Sequence, residues 1–120
     1  MMEVIDLSEK FGKFSEHWRP KLVAELNGQE VKLVKFQGEF VWHKHGVDEM
    51  FFVWRGEMTL EFRESSVSLC AGQMIVVPRG VEHRPVASSE VEVLLFEPAG
   101  VVNTGDAAEG DLTAVDVERI

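Results

Sequence analysis

Apolar residues near the start of the chain recur at about helical spacing. Ile5, Leu7, Phe11, Phe14 and Trp18 would share one face of a helix, Asp6 and Glu9 have the spacing of a capping box, and Pro20 stops continuation. A short helix is predicted within residues 1–20. From Lys21 the period drops to two. Leu22, Ala24 and Leu26 alternate with Lys21, Val23 and Glu25, as in a strand whose successive side chains leave opposite faces. Asn27-Gly28 then interrupts, and this dipeptide suits a type I′ hairpin turn, whose two central residues both need positive φ. A second strand is therefore predicted near residues 31–36. Beyond it, short runs rich in Val, Phe, Trp and Ile are separated by turn signals at Gly38, Gly46, Gly56, Ser65-Ser66, Gly72, Gly80 and Ser88-Ser89. Met58, Leu60 and Phe62 alternate with Glu57, Thr59, Glu61 and Arg63, so that strand has one buried and one wet face. Many short strands with frequent turns predict an all-β sandwich or barrel.

The pattern weakens after Pro98. Between Glu97 and Ile120 there are six acids and one base, Arg119, although Val115 and Val117 could still form a small terminal strand. The expected organisation is a helical segment at 1–20, a β-barrel at 21–98, and an acidic extension at 99–120 belonging to the same domain. A chain of 120 residues has room for one domain. With 45% hydrophobic and 28% charged residues it can build a core. Twenty-one acidic against twelve basic residues give a formal charge of -9, which repels phosphate backbones and anionic lipid surfaces. Neither nucleic acid nor membrane is expected as a partner. No apolar run approaches the roughly 18 residues of a membrane span. The single cysteine, Cys70, cannot close an intramolecular disulfide, and Met1-Met2-Glu3-Val4 lacks the basic-then-apolar order of a signal peptide. A cytoplasmic protein is expected.

Candidate chemistry enters with the histidines. Three of the four lie between positions 43 and 83, two of them in His43-Lys44-His45. In a strand, residues i and i+2 point the same way, so both imidazoles would enter one space while Lys44 points away. Glu49 follows the turn-prone Gly46-Val47-Asp48. It would return to the histidines if its strand paired antiparallel with theirs. His83 follows Pro78-Arg79-Gly80, a turn able to fold its strand over the same interior. Any one of these side chains alone would ordinarily be a hydrogen-bonded core or surface group. Together, three imidazoles and a carboxylate make a shell suited to one divalent Fe, Mn, Ni, Cu or Zn ion. Four protein ligands leave an octahedral ion two open positions, at which a substrate oxygen or O₂ could bind.

At these residues the chain resembles the cupin superfamily. The first cupin motif, a Gly, then His-x-His, a Glu and a closing Gly, is matched by Gly38, His43-Lys44-His45, Glu49 and Gly56. The second is matched from Gly72 through Pro78-Arg79-Gly80 to His83, with Ala87 where an Asn is usual. Gly38 also stands one residue nearer His43 than the usual pattern. The resemblance covers about residues 36–98. The segment from Glu97 through Asn103-Thr104-Gly105-Asp106 is similar to the tail of small, mostly uncharacterised bacterial cupins. The resemblance implies a double-stranded β-helix, the cupin jelly-roll barrel, with His43, His45, Glu49 and His83 on one divalent transition metal, and a homodimer.

Trp42, Phe51, Gln73, Arg79 and Arg84 are pocket candidates, the arginines because a guanidinium can hold a substrate carboxylate through two parallel bonds. Trp42, Phe51, Met74 and Val76 are expected chiefly as core. Cys70 is expected to be a small buried hydrophobe, and His17 a solvent-facing helix residue. No Gly-x-Ser-x-Gly, dinucleotide or phosphate-loop pattern occurs. The leading expectation is a metal-binding small cupin acting on a small organic molecule as an oxygenase, isomerase or decarboxylase. The alternative is a non-catalytic module that binds a metabolite or metal.

Overall fold

Asp6 begins the helix as predicted, its side chain accepting the Glu9 N–H at 3.0 Å in the computed structural model, which describes residues 2–120. The helix α1 spans only Leu7–Phe11. Gly12 closes it, its N–H shared between the carbonyls of Ser8 and Glu9, and Trp18 at φ 63° could not continue it. Phe14 and Trp18 therefore keep their burial but not their predicted helix. Phe14 packs with Phe11, Val23 and Leu33 on the outer face of the sheet, whereas Trp18 belongs to the barrel core. His17 also lies outside the helix and is half-buried, with Nε2 2.7 Å from Glu90 Oε1.

Eight strands follow: β1 (Lys21–Leu26), β2 (Gln29–Glu39), β3 (Glu49–Arg55), β4 (Glu57–Phe62), β5 (Ser66–Cys70), β6 (Met74–Val77), β7 (His83–Pro98) and β8 (Glu118–Arg119). Asn27 and Gly28 have φ of 51° and 78°, the values that let a two-residue turn join β1 to β2. The order β5-β4-β7-β2-β1-β8 carries β3 as a branch that pairs with both β6 and β7. Strand β7 is 16 residues long and organises the jelly roll. Its first half pairs with β4, its second half with β3, and β2 runs along nearly all of it.

Alternation along β2 explains why it is buried on both sides. Val34 and Phe36 enter the barrel with Phe51, Val53, Leu60, Val91, Val93 and Leu95. Leu33 points the opposite way, beneath α1. Gly38 falls just after an irregularity in the β2–β7 register and pairs with Ala87. Ala87, which stands where an Asn is usual, is buried in the barrel core.

Three expectations fail for one reason, that edge strands expose their outer face. Met74 and Val76 on β6 are 54% and 52% exposed, and Cys70 at the end of β5 is exposed rather than core. The terminal strand exists but falls at Glu118–Arg119, parallel to β1, leaving Val115 exposed. Among the described residues no helix is long and apolar enough to cross a membrane.

Candidate metal centre

His43 and His83 are joined backbone to backbone, each N–H donating to the other's carbonyl at 3.1 and 2.9 Å. This is an isolated bridge, so His43-Lys44-His45 does not lie in a continuous strand as expected. Alternation survives nonetheless: both histidines are buried and Lys44 is exposed. The expected pairing of Glu49's strand with the histidine segment is also corrected. Glu49 opens β3 opposite Val77, and β3 pairs with β6 and β7. The Pro78-Arg79-Gly80 turn does fold over the site, with the Gly80 N–H donating to the His45 carbonyl at 2.9 Å. Asp48 Oδ1 ties the same turn by accepting the Arg79 N–H at 2.9 Å.

One donor atom from each of His43, His45, Glu49 and His83 lies within 4.8 Å of the other three, and all four residues are buried. Nδ1 of His43 is 2.9 Å from the Val41 carbonyl, and Nδ1 of His83 is 2.8 Å from that of Val81. A carbonyl only accepts, so each Nδ1 carries a proton and each Nε2 keeps a free lone pair, the arrangement that prepares a histidine for a metal. Glu49 Oε1 is 3.5 Å from His45 Nε2 and 3.3 Å from His83 Nε2. Two ligands about 2.1 Å from one ion at tetrahedral or octahedral angles stand about 3.0–3.4 Å apart. The spacing of Glu49 from His45 and His83 is close to that of ligands sharing one cation. Among the described residues those three buried atoms have no hydrogen-bond partner, a costly arrangement for groups that nothing else satisfies.

Burial lowers the His43 imidazole to about 4, with the nearby His83 adding to the effect, and lowers His45 to about 3. Burial lowers His83 as well. All three are thus neutral, the ligating form, near neutral pH. Burial raises Glu49 to about 7, because desolvation penalises the charged carboxylate more than Glu97 and the Lys32 ammonium offset it. The donor set fits a divalent transition ion.

Beside the donors lies a cavity of about 20 Å³, room for roughly one water, walled by Trp18, Phe36, Phe40 and Phe51, with His43, Glu49 and Asn103 as polar groups. The indole of Trp18 stacks on Phe36 and Phe40 at 4.5 and 4.7 Å. Of the five pocket candidates, Phe51 alone lines this space. Trp42 lies beneath Arg63 and Arg84, whose guanidinium carbons are 4.0 and 5.3 Å from its ring. Arg84 is engaged by Glu61 and Glu39, and Gln73 accepts the Cys70 N–H. Arg79 borders a shallow surface depression that also touches His45.

The sequence reading missed Trp18 and Asn103, which also line the cavity, and Lys32 and Glu97, which are buried in the barrel. Glu97 stands in sequence at the head of the acidic run, yet it continues the inward series Val91, Val93, Leu95. Lys32 likewise shares the parity of Val34 and Phe36. The tail closes the site from outside: Asp106 Oδ1 accepts the Lys44 N–H at 2.8 Å, and the Asp106 N–H donates to the Lys44 carbonyl at 3.2 Å. A Cβ on Gly105 would stand 2.3 Å from that carbonyl and 3.1 Å from the rings of His43 and His45.

The cupin-domain family profile matches residues 25–97. The chain belongs to the cupin family. It is 33% identical over 81 residues to the uncharacterized protein YdbB of Bacillus subtilis (strain 168), a match covering 66% of each chain. The chain thus spans about two thirds of that relative's length. It is also similar to the crystal structure of a cupin-2 domain containing protein from Shewanella frigidimarina NCIMB 400. That match has 46% identity and a TM-score of 0.78, covering 79% of this chain and 94% of that one. Hydroquinone 1,2-dioxygenase PnpCD, solved with Cd²⁺ and 4-hydroxybenzonitrile, matches in fold, with a TM-score of 0.65 at 18% identity over 76% of this chain and 70% of that one.

Proposed function

We propose that this cupin holds one divalent transition metal through His43, His45, Glu49 and His83, and that the loaded protein acts on a small organic substrate as a metal-dependent enzyme of oxygenase, isomerase or decarboxylase type. The observation that carries this reading is the convergence of buried donor atoms, three of them without any hydrogen-bond partner among the described residues. An ion bound there supplies Lewis acidity and, if redox-active, electrons. The chain's own contribution is to keep three imidazoles neutral and aimed, to add one carboxylate charge, and to exclude water with the Trp18, Phe36, Phe40 and Phe51 wall. Such a wall suits a substrate with a small apolar body and one oxygen donor turned toward the ligands. The dioxygenase of like fold supplies a class of trial substrate, small phenols, rather than an assignment.

The size of the cavity favours a second reading, a non-catalytic module that binds a metal or metabolite, because a drug-sized pocket is more than ten times larger. Elemental analysis of protein prepared with each metal supplied decides the first point. Near-stoichiometric metal that is lost in His45→Ala is expected, and a metal-free protein after supplementation overturns the metal site. Oxygen uptake by the Fe(II) form with hydroquinones and catechols separates enzyme from module. Uptake above that of the metal-free protein supports the enzyme, and none with any loaded metal leaves the module.

Two further elements of the proposal rest on the surface. The exposed, unpaired Cys70 suits a reducing compartment such as the cytoplasm. Strand β6 pairs only with β3 and exposes Met74 and Val76; an open edge with apolar residues is suited to cover by a second copy in a homodimer.

A further inference from the structure

Glu97 is 2% exposed and Lys32 3% exposed, both inside the barrel. Lys32 Nζ is 3.3 Å from Glu97 Oε1 and 3.3 Å from Oε1 of Glu30. The register explains the meeting. Strand β7 lies between β2 and β3, with Lys32 opposite Leu95 and Met50 opposite Phe96. One residue beyond Phe96, Glu97 lies opposite Glu30 on β2, one inward step from Lys32, and beside Glu49 at the start of β3. The side chains of Glu97 and Glu49 are both buried on the inward face, and among the described residues Glu97 Oε2 and Glu49 Oε1 have no hydrogen-bond partner, so each carboxyl bears on the other's protonation. Oε1 of Glu49 faces His45 and His83.

A buried lysine with two carboxyls is a poor way to fill a barrel, since apolar side chains of similar volume do so at no desolvation cost. The arrangement becomes intelligible as support for a ligand: carboxylates that hold metals are themselves held, and their supports govern affinity. We propose that Glu97, anchored by Lys32, is a positioning residue that fixes the Glu49 carboxyl so that one oxygen is presented to the metal. This inference rests on the metal site proposed above.

The test uses the full chain loaded with Zn(II) or Co(II). Affinity is read by competition with a chromophoric chelator, and ligand geometry from the visible Co(II) bands. Glu97→Leu, which removes the support, is expected to weaken binding about 10- to 100-fold and to alter the Co(II) bands, with the circular dichroism of the barrel unchanged. Glu97→Gln, which keeps the shape and supplies an amide N–H to Glu49, is expected to bind within about threefold of the original protein while still shifting the bands. A structural role alone would leave the bands of a folded Glu97→Gln where they were. Unchanged affinity in folded Glu97→Leu, or unchanged bands in Glu97→Gln, overturns the proposal while leaving the metal site standing. Failure of the unaltered protein to bind either ion overturns the metal site itself.

Discussion

Two backbone carbonyls, those of Val41 and Val81, determine which nitrogen of His43 and His83 is free for a cation, and burial determines that it carries no proton. The ligand set was legible in the sequence because it is written in residue type and spacing, His-x-His and a turn before His83. Lys32 and Glu97 were not, because charge argues for solvent and only strand parity places them inside. Their energetics are testable. Lys32→Met leaves two buried carboxyls without a cation and is expected to cost about 3 kcal/mol in urea unfolding of the metal-free protein; a cost near zero would show that the ion pair is dispensable. The pH dependence follows from the same groups. His43 and His45, lowered to about 4 and about 3, and His83, also lowered, bind fewer protons folded than unfolded below 6.5, so stability rises with pH in that window. Glu49 and Glu97, raised to about 7 and about 8, keep protons in the folded chain that the unfolded chain has released, so stability falls as pH climbs above 4.5 toward those values. Three histidines against two carboxyls place the optimum of the metal-free protein between about pH 6 and 7. Metal needs Glu49 ionised and should flatten the alkaline decline. Thermal melts from acid to alkaline pH, with and without chelator, check this, and a metal-free melting point still rising above about pH 7 would contradict it.

Elements that depend on local chemistry were readable: the Asn27-Gly28 hairpin, the one-faced strand β4 and the Asp6 cap all follow from neighbours in sequence. The pairing of β3 with β6 and β7 was not, because strand partners are chosen by the whole barrel. The histidine segment shows the consequence. Its position is set by the bridge to His83, by Gly80, and by the strap of the tail at Gly105-Asp106. Gly105→Ala would drive a Cβ into the Lys44 carbonyl, so something must move. We expect a loss of about 3 kcal/mol in chemical unfolding, together with at least about tenfold weaker Zn(II) binding. Unfolding and binding both unchanged would show that the strap is not part of the site.

At the scale of the whole molecule, the jelly roll places ligands from the His43 segment, β3 and β7 around one point, though these residues are up to 40 positions apart in sequence. The fold class was legible through turn frequency and the cupin motifs. The extent of the tail's role was not, since an ordered acidic extension of the same domain could be expected from the sequence but no spacing in it pointed to the Lys44 backbone. A net negative chain with an exposed apolar edge at β6 predicts a closed dimer rather than open-ended aggregation. Light scattering should give twice the mass of the chain, and monomer mass across a wide concentration range would contradict it. The claim on which the rest depends is that four side chains share one cation. Crystals of the loaded protein, measured at the absorption edge of the supplied metal, address it directly. The account predicts one anomalous peak per chain, about 2.0–2.3 Å from Nε2 of His43, His45 and His83 and from a Glu49 oxygen. No peak at that point, or a peak bound elsewhere, would contradict it.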